Sequence, residues 1–167
     1  MSTIDPVWEK RVAELWNALD ESEPAEFVAQ LDVLAAELPP GSAVGLFERG
    51  AAQDSTGHPD LAVPLYRAAL EAGLSGLRRR RATIQLASSL RNLGDAEQSV
   101  SLLRAELRTA SDELDGAVRA FLALALVDLG HEREAVAISL TALSRYLPRY
   151  NRSLARYAHA LVPPNAL

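Results

Sequence analysis

Cysteine is absent from the 167 residues, which removes disulfides, thiolate metal sites and cysteine nucleophiles. Aromatic side chains are scarce, at 5%, although 49% of the chain is apolar and Leu and Ala dominate that share. That balance argues against a β-sandwich, which draws on β-branched and aromatic residues, and for closely packed helices. Long hydrophobic runs are missing too. The longest, residues 120–127, falls far short of the about 20 residues that a bilayer-spanning helix needs. MSTIDPVWEK has neither the basic region nor the apolar stretch of a secretory leader, so the expectation is a soluble, cytoplasmic protein. Positive charge is in deficit, with a net charge of −5, which disfavours nucleic acid as a general partner. Strand-type alternation, low-complexity tracts and dividing linkers are also lacking, which leaves one helical domain.

What is present is organised around residues 82–107, which read as two helices hinged at Gly94. Ala82, Leu86, Leu90 and Leu93 make one apolar stripe, and Ala96, Val100, Leu103 and Leu107 make another. Gly94 suits the left-handed residue that ends a helix. Asp95 suits the cap of the next, with Gln98 placed to complete a capping box. A lone hairpin cannot bury both its faces, so neighbours are required. Asp5-Pro6 starts an earlier helix with Trp8, Val12, Leu15 and Trp16 on one face. A second carries Phe27, Leu31, Leu34 and Leu38 and stops at Pro39-Pro40-Gly41. A third spans about 43–55, and its Gly50 predicts a close backbone contact. A fourth, after Gly57, carries Ala62, Tyr66 and Ala69. Beyond the central hairpin, Val118, Leu122, Ala125 and Leu126 build a strongly apolar helix, predicted to be buried on most sides. Gly130 hinges it to a helix with Ala135, Ile138 and Ala142. The last helix, about 149–161, is expected to turn Leu154, Tyr157, Ala158 and Leu161 inward and Arg152, Arg156 and His159 outward.

The hinge glycines Gly57, Gly94 and Gly130 lie 37 and 36 residues apart. A period in the mid-thirties filled by two helices is a solenoid signature. Small residues recur in step: Gly50, Ala87 and Ala123 stand seven before each hinge, and Ala62, Ser99 and Ala135 five after it. On these positions the chain resembles the tetratricopeptide repeat family. GAAQDSTGHPDLAVPLYRAAL matches best, with Gly50, Gly57, Ala62, Tyr66 and Ala69 on pattern. The early aromatic of the first helix is replaced by Leu46, Thr83 and Arg119. The resemblance divides the chain into a degenerate hairpin at 5–40, three repeats at 43–147 and a capping helix at 149–162. It implies an all-α, right-handed superhelical solenoid whose first helices line a concave groove for peptides or partner helices.

The residues give a compatible candidate site. Arg81, Gln85, Ser88 and Asn92 form a polar stripe opposite Leu86 and Leu90, with Arg91 flanking it. Shifting by the period places Glu48, Ala51 and Ser55 on one side, with Asp54 matching Arg91, and Phe121, Leu124 and Asp128 on the other. Donors in the middle and an aromatic at one edge suit an extended segment or an acidic side chain. A soluble helix also keeps such a face simply to stay wet. The expectation is therefore a non-catalytic module for a protein or peptide partner, contacting it through Arg81, Gln85, Ser88, Arg91, Asn92, Phe121 and Asp128. No cofactor and no membrane are expected.

The alternatives are a self-associating homodimer, a metal protein using Asp54, His58 and Asp60, or nucleic-acid binding through Arg78-Arg79-Arg80-Arg81. Arginines at a helix start face the unfavourable end of the dipole. Pairing with Glu71, Glu106, Asp112 or Glu113 is the plain explanation for that run. His131-Glu132-Arg133-Glu134 lacks the second histidine of a zinc-protease motif. Trp8 and Trp16 share one helical face and read as core.

Overall fold

Three of the helices start on a side-chain cap, from Asp5, Ser42 and Asp95. In the computed structural model, which describes residues 4–109 and 111–163, helix α1 (Pro6–Asn17) begins with Asp5 accepting from the Val7 amide at 2.9 Å. Proline occupies the next position, where its missing N–H costs nothing. A 3₁₀ turn, Leu19–Glu21, leads into α2 (Pro24–Ala36), which stops before the Pro39-Pro40-Gly41 break. Helix α3 (Ala43–Ser55) starts on Ser42, and α4 (Pro59–Glu71) starts at Pro59 and tolerates Pro64 on its exposed side. Helix α5 runs Gly76–Asn92, so the arginine run fills its opening turns, and the helix begins six residues before the expected start at Ala82. There follow α6 (Ala96–Glu106), α7 (Asp115–Asp128), α8 (Glu132–Ser144) and α9 (Asn151–His159). The described residues are all-α, with nine α-helices and no strand. None of these helices is long and apolar enough to cross a membrane.

The hinges repeat at the level of single hydrogen bonds. Gly94 sits at φ +91, where a Cβ is strained; its N–H reaches Arg91 O at 2.9 Å, and Asp95 N–H reaches Leu90 O at 2.9 Å. These two bonds cap the open carbonyls at the end of α5. The other two hinges repeat the pair: Gly57 N–H reaches Asp54 O and His58 N–H reaches Gln53 O, and Gly130 N–H reaches Val127 O and His131 N–H reaches Leu126 O. Asp95 then caps α6 by accepting from Gln98 N at 3.0 Å. Half of the expected capping box is missing, because the Gln98 side chain donates to Asp95 Oδ2 at 3.2 Å. The Asp95 N–H is already engaged by the hinge.

The chain forms two compact units, Met1–Gln85 and Leu86–Leu167. In the first, α1 packs on α2, α2 on α3 and α3 on α4. Trp8, Val12 and Leu34 form one apolar cluster; Phe27, Leu31 and Ala52 form another. Gly50 lets α4 approach: a Cβ there would meet Tyr66 Cδ1 at 3.0 Å and Leu65 Cβ at 3.2 Å. In the second unit, α6 packs on α7, α7 on α8 and α8 on α9. Val118, Leu122, Ala125 and Leu126 are buried. Two expectations are corrected here. Leu124 and Val127 of α7 are exposed, so that helix buries one broad face rather than most of its surface. Tyr157 points out at 61% exposure and lies beside the Arg156 guanidinium, 5.1 Å from its ring centre, while Ala158 takes the buried place.

Candidate peptide-binding face

The polar stripe of α5 is what its spacing implies: Leu86 and Leu90 are buried, while Arg81 and Asn92 are exposed and Gln85, Ser88 and Arg91 are half-buried. Arg81 and Gln85 belong to the first unit, and Ser88, Arg91, Asn92, Phe121 and Asp128 to the second. In the first, the Arg81 guanidinium stacks on the Phe47 ring at 5.3 Å from its centre. A cation over an aromatic face is attracted by the ring quadrupole and loses part of its freedom. In the second, Arg91 is held by Asp128: Nε stands 2.6 Å from Oδ2, and Nη2 donates to Oδ1 at 3.2 Å. This pair ties α5 to α7 across 37 residues, one repeat length. Phe121 lies seven residues before Asp128, hence on the same face of α7, and is half-buried.

Only part of the matching wall in α3 is a surface: Ser55 is exposed and Asp54 half-buried, but the other two residues are not. Glu48 and Ala51 are 2% and 0% exposed. Glu48 instead forms the centre of a polar cluster inside the first unit. Its Oε2 accepts from Trp16 Nε1 at 2.8 Å and its Oε1 from Arg78 Nε at 2.9 Å. Arg78 also donates Nη1 and Nη2 to the two carboxylate oxygens of Glu9, at 2.8 and 2.6 Å. Those hydrogen bonds hold the Glu9 carboxyl below its ordinary range, and they raise the Arg78 guanidinium further. The expected partners Glu71, Glu106, Asp112 and Glu113 are therefore not the ones Arg78 uses. The reason is geometric: α1 and α3 supply carboxylates from residues distant in sequence. Trp8 is core, as expected, and its Nε1 donates to Leu34 O at 2.8 Å; Trp16 is only half-buried, packing edge-on against Phe27 at 5.0 Å on the margin of that cluster.

Asp54 Oδ2 accepts from the Tyr66 hydroxyl at 3.3 Å, and burial with this neighbouring carboxylate pushes the phenol far up. His58 and His131 are exposed at the starts of α4 and α8, with no side-chain capping bond. Among the described residues no group of three or more His, Asp and Glu side chains could hold a metal.

Spacing along the chain did not expose one feature of the second unit. A cleft of about 710 Å³ is bordered by Arg104, Arg108, Arg119, Arg145 and His159. Its only advance signal is compositional: after Glu134, residues 135–163 contain four arginines and no carboxylate side chain.

A family model described as tetratrico peptide repeat matches residues 43–161. No curated protein and no solved structure matches the chain.

Proposed function

The chain belongs to the tetratrico peptide repeat family, and on that premise we propose that it is a non-catalytic module that binds an extended or helical segment of a partner protein. Protein–protein interaction is the general role of the family. The finer reading concerns the face. In the second unit, Ser88, Arg91 and Asn92 of α5 and Phe121 and Asp128 of α7 are the contact residues. Arg81 and Gln85 are the contact residues on the first unit's part of α5.

The observation that supports this is the Arg91–Asp128 pair, with its N–O distance of 2.6 Å. A guanidinium fixed by one carboxylate has spent its rotamer freedom before a ligand arrives, and its five donors exceed what one carboxylate accepts. Asn92 offers both a donor and an acceptor, the complement of a peptide group. Phe121 adds an apolar contact for a side chain beside it.

The test compares the wild-type protein with an Arg91→Glu, Asn92→Ala variant. Captured partners are identified by mass spectrometry, and each binary affinity is then measured with purified components. Loss of binding with an unchanged helical circular dichroism spectrum is the expected result. Retention of the same partners at the same affinity removes this face. A wild-type dimer that becomes monomeric in the variant would reassign the face to self-association.

A further inference from the structure

The cleft of the second unit lies on another side of α7 from the candidate face. At 3.6 residues per turn, Arg119 and Leu122 point roughly opposite to Phe121, Leu124 and Asp128. Helices α6, α7, α8 and α9 all contribute to it. Leu107, Leu122 and Ile138 supply apolar surface, and the four arginines and His159 supply the cationic part.

Internal anions only partly balance these cations. Arg104 Nη2 meets Glu134 Oε1 at 2.6 Å. Arg119 and Arg145 share one carboxylate, each placing Nη1 near Asp115 Oδ2, at 3.5 and 3.6 Å. Arg108 has no ion pair among the described residues. On the cleft's own wall four guanidiniums and His159 stand with one carboxylate, Glu134; Asp115, Asp112 and Glu113 lie on the far side of Arg119 and Arg145, in the adjoining hollow. Helix α9 adds Arg152 and Arg156 on the same helical face as His159. A cleft wall with more cations than anions attracts anions by its field as well as by contact.

We propose that this cleft is a second binding site, taking an acidic peptide segment in which carboxylates flank an apolar side chain. Three features select that ligand. The arginines lie on α6, on α7 and just past the ends of α6 and α8, and three of them are tied to two separate carboxylates, so they do not cup one small anion. Apolar surface lies among them, which calls for a ligand that is apolar between its charges. No Phe, Tyr or Trp lines the cleft, so the stacking platform that single-stranded nucleic acid uses is missing. The volume of about 710 Å³ falls within the roughly 300–1,000 Å³ usual for ligand sites.

The test is fluorescence anisotropy with a fluorescein-labelled peptide of alternating Glu and Leu, beside its Gln–Leu isostere. The acidic peptide should bind at least about tenfold more tightly than the isostere. Arg108→Glu with Arg145→Glu should weaken it by at least as much, and Arg91→Glu should leave it unchanged. If the double variant loses its helical circular dichroism, Arg108→Gln alone carries the comparison, because that side chain is exposed beyond the end of α6. Equal binding of both peptides overturns the inference, as does indifference to Arg108. Displacement by millimolar inorganic phosphate, or by duplex DNA more readily than by unlabelled peptide, overturns it too. Loss of binding in Arg91→Glu alone would place the acidic peptide on the α5 face, removing the second site while leaving the proposed function standing.

Discussion

Arg78 grips Glu9 with both terminal nitrogens, at 2.8 and 2.6 Å, across 69 residues of sequence. The same guanidinium turns its Nε to Glu48, which is 2% exposed. One arginine on α5 therefore serves α1 and α3 at once, and the first hairpin is fastened to its unit by charge as well as by the Trp8 and Phe27 clusters. A buried carboxylate is tolerable only while its partners remain. Glu48 has two, Arg78 and Trp16.

Arg78→Ala should be costly for that reason. It leaves Glu48 charged, buried and dependent on one indole N–H, a situation that typically costs about 3 kcal/mol or more. Glu48→Gln keeps an acceptor for Trp16 and removes the charge, so it should cost clearly less. Urea denaturation of both variants gives the order. A smaller loss for Arg78→Ala than for Glu48→Gln would show that the cluster does not depend on the cation.

The Glu9 carboxyl is depressed by its hydrogen bonds to Arg78. A group with a lowered folded-state pKa stabilises the fold above its unfolded-state value, and that contribution is lost as pH falls through the folded value. Stability should therefore drop on acidification below the ordinary carboxylate range, with Glu37, held low by Arg11, adding a salt-screened share. Urea midpoints taken from about pH 7 to about pH 3 check this. Glu9→Gln should flatten part of the acid limb; an unchanged slope would mean that Glu9 does not contribute.

Much of this architecture is legible in the chain because it is local. Gly57, Gly94 and Gly130 announce their corners, since φ of +86, +91 and +76 suits glycine best, and α3 runs over Ala43–Ser55 as periodicity implies. The stripe from Arg81 to Asn92 is likewise a matter of counting along one helix. Long-range pairing is different. Nothing local distinguishes Glu9 from Glu71 as the partner of Arg78, and translation by one repeat wrongly puts Glu48 on a surface. The repeat keeps helix positions, whereas Trp16 lies in the hairpin before the repeats and Arg78 in the opening residues of α5 that have no counterpart in α3, and the two hold Glu48 between them. The cationic cleft is hidden for the same reason, because its lining comes from four helices.

Gly50→Ala sets two effects against each other. Alanine gains about 1 kcal/mol of helix propensity over glycine. Its Cβ, however, would lie 3.0 and 3.1 Å from Tyr66 Cδ1 and Cε1. Tyr66 is fully buried and its hydroxyl is held by Asp54, so the ring has little room to retreat. Overpacking of this kind costs about 1–3 kcal/mol, so the net change should be destabilising. Gly57→Ala meets nothing within 4 Å, yet at φ +86 it should cost about 1–2 kcal/mol from backbone strain alone. Gly57→Asn should recover most of that, whereas no small polar residue rescues position 50. Thermal unfolding of the three variants separates the mechanisms.

Arg91 and Asp128 can be separated into a structural and a recognition role. Their side chains are 27% and 37% exposed, so the pair itself should contribute no more than about 1 kcal/mol, and less at high salt. A double-mutant cycle on urea stability measures that coupling. Exchanging the charges, Arg91→Asp with Asp128→Arg, keeps an ion pair between α5 and α7 and should restore most of the stability lost in either single variant. If Arg91 also contacts the partner, binding should stay impaired in the exchanged protein, because the guanidinium now projects from the wrong helix. Full recovery of both stability and binding would mean that the pair serves only to hold α5 and α7 together, and that the partner is recognised by other residues.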